Sequence, residues 1–200
     1  MPTEILRVRS VHDGWAKLLI ATVRLSDGHV AEREMEDHGR AVCVLPYDPE
    51  RRVALLVRLF RAPPLYAGGL PEMLEAPAGL LEDDSPEDCA RREALEEGGL
   101  RLGGLVHVAT VWSMPGVSTE RMSLYLAPYT AADRVAEGGG AEGEHENITV
   151  VEMRLAELSA MAARGDLVDL KTFTLLLALK DRRPDLFSAS TAHPSSLSNS

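Results

Sequence analysis

Cysteine is nearly missing from this chain of 200 residues. Cys43 and Cys89 are the only two, each in an apolar or helical setting, and neither belongs to a C-x-x-C or Cys-to-His pattern. That excludes a disulfide framework and gives no zinc-site spacing, so both thiols read as small buried hydrophobes. Basic charge is also short: 21 Lys and Arg stand against 31 Asp and Glu, for a formal net charge of −10. Polyphosphate backbones are bound by clustered Lys and Arg, so this balance argues against a nucleic-acid partner. An acidic protein that handles phosphates needs a metal. Missing, too, are any apolar run near the roughly 18 residues that span a bilayer and any charged-then-apolar leader, so the expected location is cytoplasmic, with no membrane contact. There is no internal repeat.

What is present suffices for one good-sized core, since 45% of the residues are hydrophobic and 26% charged. Residues 5–9, 15–25 and 30–35 alternate as strands, and Ser26-Asp27-Gly28-His29 carries the Asp-Gly signature of a hairpin turn. Residues 41–47 and 53–60 predict two more strands around the Asp48-Pro49-Glu50-Arg51 turn, and Ala54-Leu55-Leu56-Val57 is apolar enough for a central one. Residues 61–70 hold two prolines and two glycines and are expected to form an irregular loop that can touch a ligand. A helix is predicted from an N-cap at Ser85, with Pro86 first and Asp88 three residues after the cap, through Glu97 to the stop at Gly98-Gly99. Further strands are expected over 105–112, 121–129 and 148–153, and helices over 155–164 and 171–180. Gly138-Gly139-Gly140 reads as part of a mobile acidic connection, and the serine-rich residues 188–200 as a disordered tail. The mixed order predicts an α+β domain, layered α/β/α about a mixed sheet over residues 41–187. An N-terminal antiparallel β subdomain over residues 1–40 is added to it.

Chemistry concentrates in residues 79–100. On a helix Glu93, Glu96 and Glu97 stand at i, i+3 and i+4, so three carboxylates project from one face. Such charges repel unless a cation compensates, and hard oxygen ligands at this density suit Mg²⁺ or Mn²⁺ bridging to phosphates. Cys89, Ala90, Ala94 and Leu95 are expected to supply the packing face. A bare E-x-x-E-E beside Arg91-Arg92 is more often a solvated helix surface. The flanks reverse that, because a glycine loop, an acid, seven residues and then Arg92-Glu93-Ala94-Leu95-Glu96-Glu97-Gly98-Gly99-Leu100 resemble the Nudix box, G-x5-E-x7-R-E-U-x-E-E-x-G-U with U aliphatic. Two positions depart: four residues rather than five follow Gly79, and Asp84 stands where the box has Glu. Neither touches the three glutamates. The shortened loop resembles the GDP-mannose pyrophosphatase branch of the Nudix hydrolases, itself close to the ADP-ribose pyrophosphatases. Arg58-Leu59-Phe60-Arg61, Met114-Pro115-Gly116-Val117-Ser118-Thr119-Glu120, the glycine run and Lys171-Thr172 extend the likeness over roughly residues 14–181.

The resemblance implies a Nudix fold and a Mg²⁺-dependent pyrophosphohydrolase, with Mn²⁺ as a substitute, that cleaves a nucleoside-diphosphate sugar. It implies that Glu93, Glu97 and Glu96 ligate metal together with the carbonyl of Ala78, and that Gly79 lets the backbone approach closely. A general base is expected in the acidic loop, Glu146 first and Glu144 second, with Glu142 also present; Glu146 is a metal-ligand candidate as well. A solvated acidic loop is the alternative. Arg61 resembles the phosphate-contacting arginine, a role its planar fork suits. Glu120 matches a position near the metal or sugar, and Lys171 a ligand-contacting lysine; plain surface charge is the alternative for each. Trp15, Arg33 and Glu34 lie in the β-region that these branches exchange between subunits to bind the base, which implies a homodimer. Trp15 reads equally as an ordinary core or interface aromatic.

The six histidines show no metal-ligand spacing, and only His145 is expected near the site. Asn147-Ile148-Thr149 matches a glycosylation acceptor, which has meaning only in a secreted protein. GDP-mannose cleavage to GMP and mannose 1-phosphate is the preferred activity, ADP-ribose cleavage to AMP and ribose 5-phosphate the rival, and UDP-glucose a third substrate. A non-catalytic nucleotide-sugar sensor is the alternative of a different class, and the intact Arg92, Glu93, Glu96 and Glu97 count against it.

Overall fold

A computed structural model describes residues 1–140 and 147–188. Strands β1 (Glu4–Asp13), β2 (Lys17–Arg24) and β3 (Val30–Asp37) form an antiparallel three-stranded sheet. Its β2–β3 turn follows from its residues. Gly28 takes φ 89° and donates its amide to the Leu25 carbonyl, while the Asp27 carboxylate accepts the His29 amide. β1 is longer than the alternation over 5–9 suggests and is exposed throughout; Trp15, expected in β2, precedes it in a bend.

The second sheet has seven strands: β4 (Arg40–Asp48), β5 (Val53–Phe60), β6 (Glu72–Glu75), β7 (Ala78–Leu81), β8 (Val106–Trp112), β9 (Arg121–Pro128) and β10 (Thr149–Arg154). Its path runs β10-β5-β4-β9-β8, with β4 and β9 parallel and the other pairs antiparallel, so the sheet is mixed. Among the described residues four α-helices accompany it: α1 (Ala62–Gly68), α2 (Pro86–Glu96), α3 (Leu155–Arg164) and α4 (Leu170–Arg182). Period-two alternation along β4 sorts the core. Val42 and Val44 join Leu55 and Tyr125 against Cys89, Ala90 and Ala94 of α2, whereas Cys43, Leu45 and Tyr47 join Leu56 and Leu124 against Leu158 of α3 and Leu175, Leu176 and Leu179 of α4. Burial on both faces explains why β4 reads as a continuous apolar run. The result is the expected α/β/α layering.

β4 and β5 pair only at Tyr47 with Ala54 and Asp48 with Val53. Beyond those pairs they part, β7 pairing with β4 and β6 with β5, so Ala78 and Gly79 sit beside Cys43 and Val42. The chain crosses from β6 to β7 at Ala76-Pro77, and that crossing positions the site.

Two segments differ from expectation. The stretch read as an irregular loop contains α1. Pro63 and Pro64 fall in its first turn, where an N–H has no intrahelical acceptor in any case, Leu65 makes the first such bond to Arg61 at 3.2 Å, and Gly69 closes the helix at φ 67°. The glycine run is no free connection over 138–140. Gly139 and Gly140 donate their amides to the carbonyls of Glu97 and Glu96 at 2.9 and 3.0 Å, supplying donors that the C-terminal end of α2 lacks. A Cβ on Gly138 would lie 2.4 Å from the Glu97 carbonyl oxygen, so the approach requires glycine there. Among the described residues no helix is long and apolar enough to cross a membrane.

Candidate functional site

Helix α2 starts as its residues predict. The Ser85 hydroxyl accepts the Asp88 amide at 3.1 Å and donates to the Asp88 carboxylate at 2.8 Å, with Pro86 in the first turn. Its buried stripe is Cys89, Ala90, Glu93 and Ala94, continuing to Glu97, so two of the acids belong to the packing face itself. Leu95, expected in that face, is exposed, because it lies one residue past Ala94 and turns away.

Glu93, Glu96 and Glu97 line a cavity of about 850 Å³ together with Ala78, Gly79, Arg61, Glu120, Lys171 and Trp15. Nine of the candidate residues are thus brought together from distant parts of the chain. The Glu97 carboxylate accepts the Ala78 amide at 3.1 Å. The Glu93 carboxylate lies over Gly79 so closely that a Cβ there would be 2.0 Å from its Oε1. Arg92 ion-pairs with Glu93 at 2.8 Å, Glu96 at 3.3 Å and Asp84 at 3.5 Å. The aspartate that departs from the box therefore still reaches the arginine. Burial disfavours the Arg92 cation, but Glu93 and its neighbours outweigh that and raise its pKa, so it stays charged.

A second charged group adjoins the first. Arg61 donates to Glu75 through Nε and Nη2 at 2.9 and 3.0 Å, and the Lys171 ammonium donates to Glu75 and, at 2.8 Å, to Asp169. Burial pushes the Glu75 pKa up, yet Arg61 and Lys171 more than offset this, and the net direction is down. Lys171 mirrors it: burial works against the charge, and Asp169 and Glu75 raise its pKa overall. Sequence reasoning missed Glu75 and Asp169. The available signals were an acid inside the otherwise apolar Met73-Leu74-Glu75-Ala76 stretch and an Asp three residues before Thr172, whose amide it caps at 3.0 Å.

His38 was missed as well. It stacks on Trp15 with ring centroids 4.9 Å apart, contacts Glu36, and meets Glu120 at 2.9 Å. Burial disfavours its cation, but the bonds to Glu36 and Glu120 prevail and raise its pKa above the ordinary 6.5. A group with a raised folded pKa stabilises fully below its unfolded value and loses that contribution as pH rises through the folded one. The thermal midpoint is therefore expected to fall, as pH climbs above 6.5, by about 1–2 °C for a contribution of about 0.5 kcal/mol. His38→Gln should remove that part of the slope; an identical slope in a pH series of melting curves would refute the link.

Arg33 and Glu34 are exposed on β3 and are not brought to this cavity within the chain; Arg33 bonds the Glu32 carbonyl. Glu142, Glu144, His145 and Glu146 lie outside the described residues, as do residues 189–200.

Among the described residues seven carboxylates line the cavity (Glu75, Glu82, Glu93, Glu96, Glu97, Glu120 and Asp169) against the Arg and Lys cations Arg61, Arg92 and Lys171. A diphosphate would meet repulsion there unless a cation joined it. Hard oxygen donors in excess fit a divalent ion such as Mg²⁺. Among the described residues no three acidic or imidazole groups already converge on one point; Arg92 holds Glu93 and Glu96, and Glu97 turns to the Ala78 amide. The fit rests on the composition of the set.

Residues 37–175 match the profile of the NUDIX domain. The chain is 40% identical over 160 residues to the GDP-mannose pyrophosphatase of Cronobacter sakazakii, spanning 78% of this chain and 82% of that one. It is 36% identical over 180 residues to the GDP-mannose pyrophosphatase of Pectobacterium atrosepticum, spanning 88% and 92%. In fold it is similar to a crystal structure described as an ADP compounds hydrolase, at TM-score 0.73 and 18% identity, over 92% of this chain and 96% of the other.

Proposed function

The chain belongs to the NUDIX family, and from that premise we propose that it is a divalent-metal-dependent hydrolase that splits the diphosphate of a nucleoside-diphosphate sugar. GDP-mannose is the preferred substrate, giving GMP and mannose 1-phosphate. The observation that carries this is the meeting, in one cavity, of the α2 glutamates with Arg61 and Lys171. The names of the 36–40% identical relatives support the substrate.

Glu93, Glu96, Glu97 and the carbonyl of Ala78 would hold the ion, with Mg²⁺ preferred and Mn²⁺ a substitute. When bound, such an ion offsets the charge of the diphosphate and acidifies water near phosphorus. Arg92 holds Glu93 and Glu96 in place, and Gly79 leaves room for the Glu93 carboxylate. Arg61 and Lys171 supply directed donors for phosphate oxygens. Glu146 is assigned as general base, with Glu144 second. Gly140, bonded to the Glu96 carbonyl, brings the preceding chain to the end of the catalytic helix. Residues 1–40 are assigned as a dimerising subdomain and 41–187 as the hydrolase domain. The exposed Ile5, Leu6, Val8 and Val11 of β1 give the N-terminal sheet an apolar surface that suits a second copy, whose cavity Arg33 and Glu34 would then reach. A cytoplasmic location accords with these substrates.

The test is phosphatase-coupled phosphate release from GDP-mannose, ADP-ribose and UDP-glucose, with Mg²⁺ and with EDTA. GDP-mannose should turn over fastest, by at least about tenfold, and EDTA should lower the rate by at least about a hundredfold. Preference for ADP-ribose would move the substrate assignment. No turnover by folded protein on any of the three would favour the sensor.

A further inference from the structure

Glu75 ends β6 almost fully buried, at 2% exposure, with both carboxylate oxygens occupied by cations. A buried carboxylate is tolerated only when its partners are held in good geometry, so this arrangement constrains the cations as much as the anion. Building on the hydrolase function proposed above, we infer that Glu75 is a positioning residue: it holds the Arg61 guanidinium and the Lys171 ammonium as one fixed pair that receives a phosphate of the substrate.

The donor geometry points there first. A guanidinium carries five N–H donors in one plane, and Glu75 takes Nε and Nη2 along one edge, which fixes the direction of the others. An ammonium carries three, and Glu75 and Asp169 take two. Arg61, Lys171 and Glu75 all line the cavity. Asp169 then ties the pair to the rest of the site. Its second oxygen accepts the amide and hydroxyl of Thr172, and the Thr172 hydroxyl oxygen accepts the Ala76 amide at 2.7 Å. Ala76 follows Glu75 and leads to Ala78 and Gly79 beneath Glu93. One chain of hydrogen bonds thus joins the cation pair to the backbone under the glutamates. With two carboxylates against two cations the group is neutral, so it selects phosphate by directed donors rather than by net charge.

In Glu75→Gln an amide group would face cationic donors, and Arg61 would lose its anchor. The KM for the nucleotide sugar is expected to rise at least about tenfold while kcat changes less than about threefold. Arg61→Lys should do the same, and the double variant should be no worse than either single, because Glu75 acts through Arg61. Glu75→Asp keeps the buried charge at shorter reach and serves if the glutamine variant does not fold; a KM increase of about threefold or more is expected. Additive effects, an unchanged KM or a loss confined to kcat would overturn the assignment. Calorimetric titration of the full chain with inorganic pyrophosphate in the presence of Mg²⁺ reads the same cradle without nucleotide-sugar turnover. Weaker or lost binding in both Glu75 variants supports it, and binding in them equal to that of the unaltered chain, or none by the unaltered chain, refutes it. Should the unaltered chain cleave no nucleotide sugar, the hydrolase assignment falls while this titration still decides the role of Glu75.

Discussion

Replacing Glu97 by glutamine is expected to lower turnover by at least about a thousandfold, or about 4 kcal/mol of transition-state stabilisation, and to leave the fold standing. The two effects separate because the proposed function gives Glu97 two tasks. Its carboxylate accepts the Ala78 amide at 3.1 Å, and a glutamine oxygen of the same length can accept that bond. Stability should therefore change by no more than about 1 kcal/mol. The anionic charge has no such substitute, and at 4% exposure solvent does not replace it. Steady-state rates at saturating Mg²⁺, alongside a melting curve, measure both. A rate within tenfold of the unaltered protein, at full occupancy of folded protein, would remove Glu97 from the catalytic set.

Gly79→Ala should produce a comparable separation by steric means. A Cβ at this position lies 2.0 Å from Glu93 Oε1 and 2.2 Å from its Cδ, so the carboxylate must leave its place. What it meets is the far end of a flexible side chain rather than backbone, and the fold can yield at a cost of about 1 kcal/mol. Catalysis cannot yield as easily. Displacing a catalytic group by about 1 Å costs on the order of a hundredfold in rate, and that loss is the expected result. Full activity with alanine at 79 would mean that the observed position of Glu93 is not the working one.

Much of the fold was legible because its causes are local. The Ser85 cap with Pro86 announces the start of α2, Asp27-Gly28 announces the β2–β3 turn, and period-two burial along β4 makes one apolar stretch serve two faces. α1 was not legible. Two prolines argue against a helix unless they fall in its first turn, and only the path of the chain from β5 decides that they do. The glycine run misled in the same way, since flexibility in composition became close packing once the bare carbonyls of α2 stood opposite.

What the sequence by itself determined is helix α2 with its three glutamates, the family to which its spacing belongs, and the layered α+β plan. All of these follow from neighbours within about one or two turns of chain, where spacing dictates which side chains share a face. Tertiary structure alone decided what surrounds that helix. Lys171 reaches Glu75 across 96 positions, and His38 reaches Glu120 across 82. Such meetings depend on strand order and on the parting of β4 from β5, which no local pattern encodes, and burial then makes the pairing of Lys171 with Glu75 necessary, because a lone charge there would be too costly to keep.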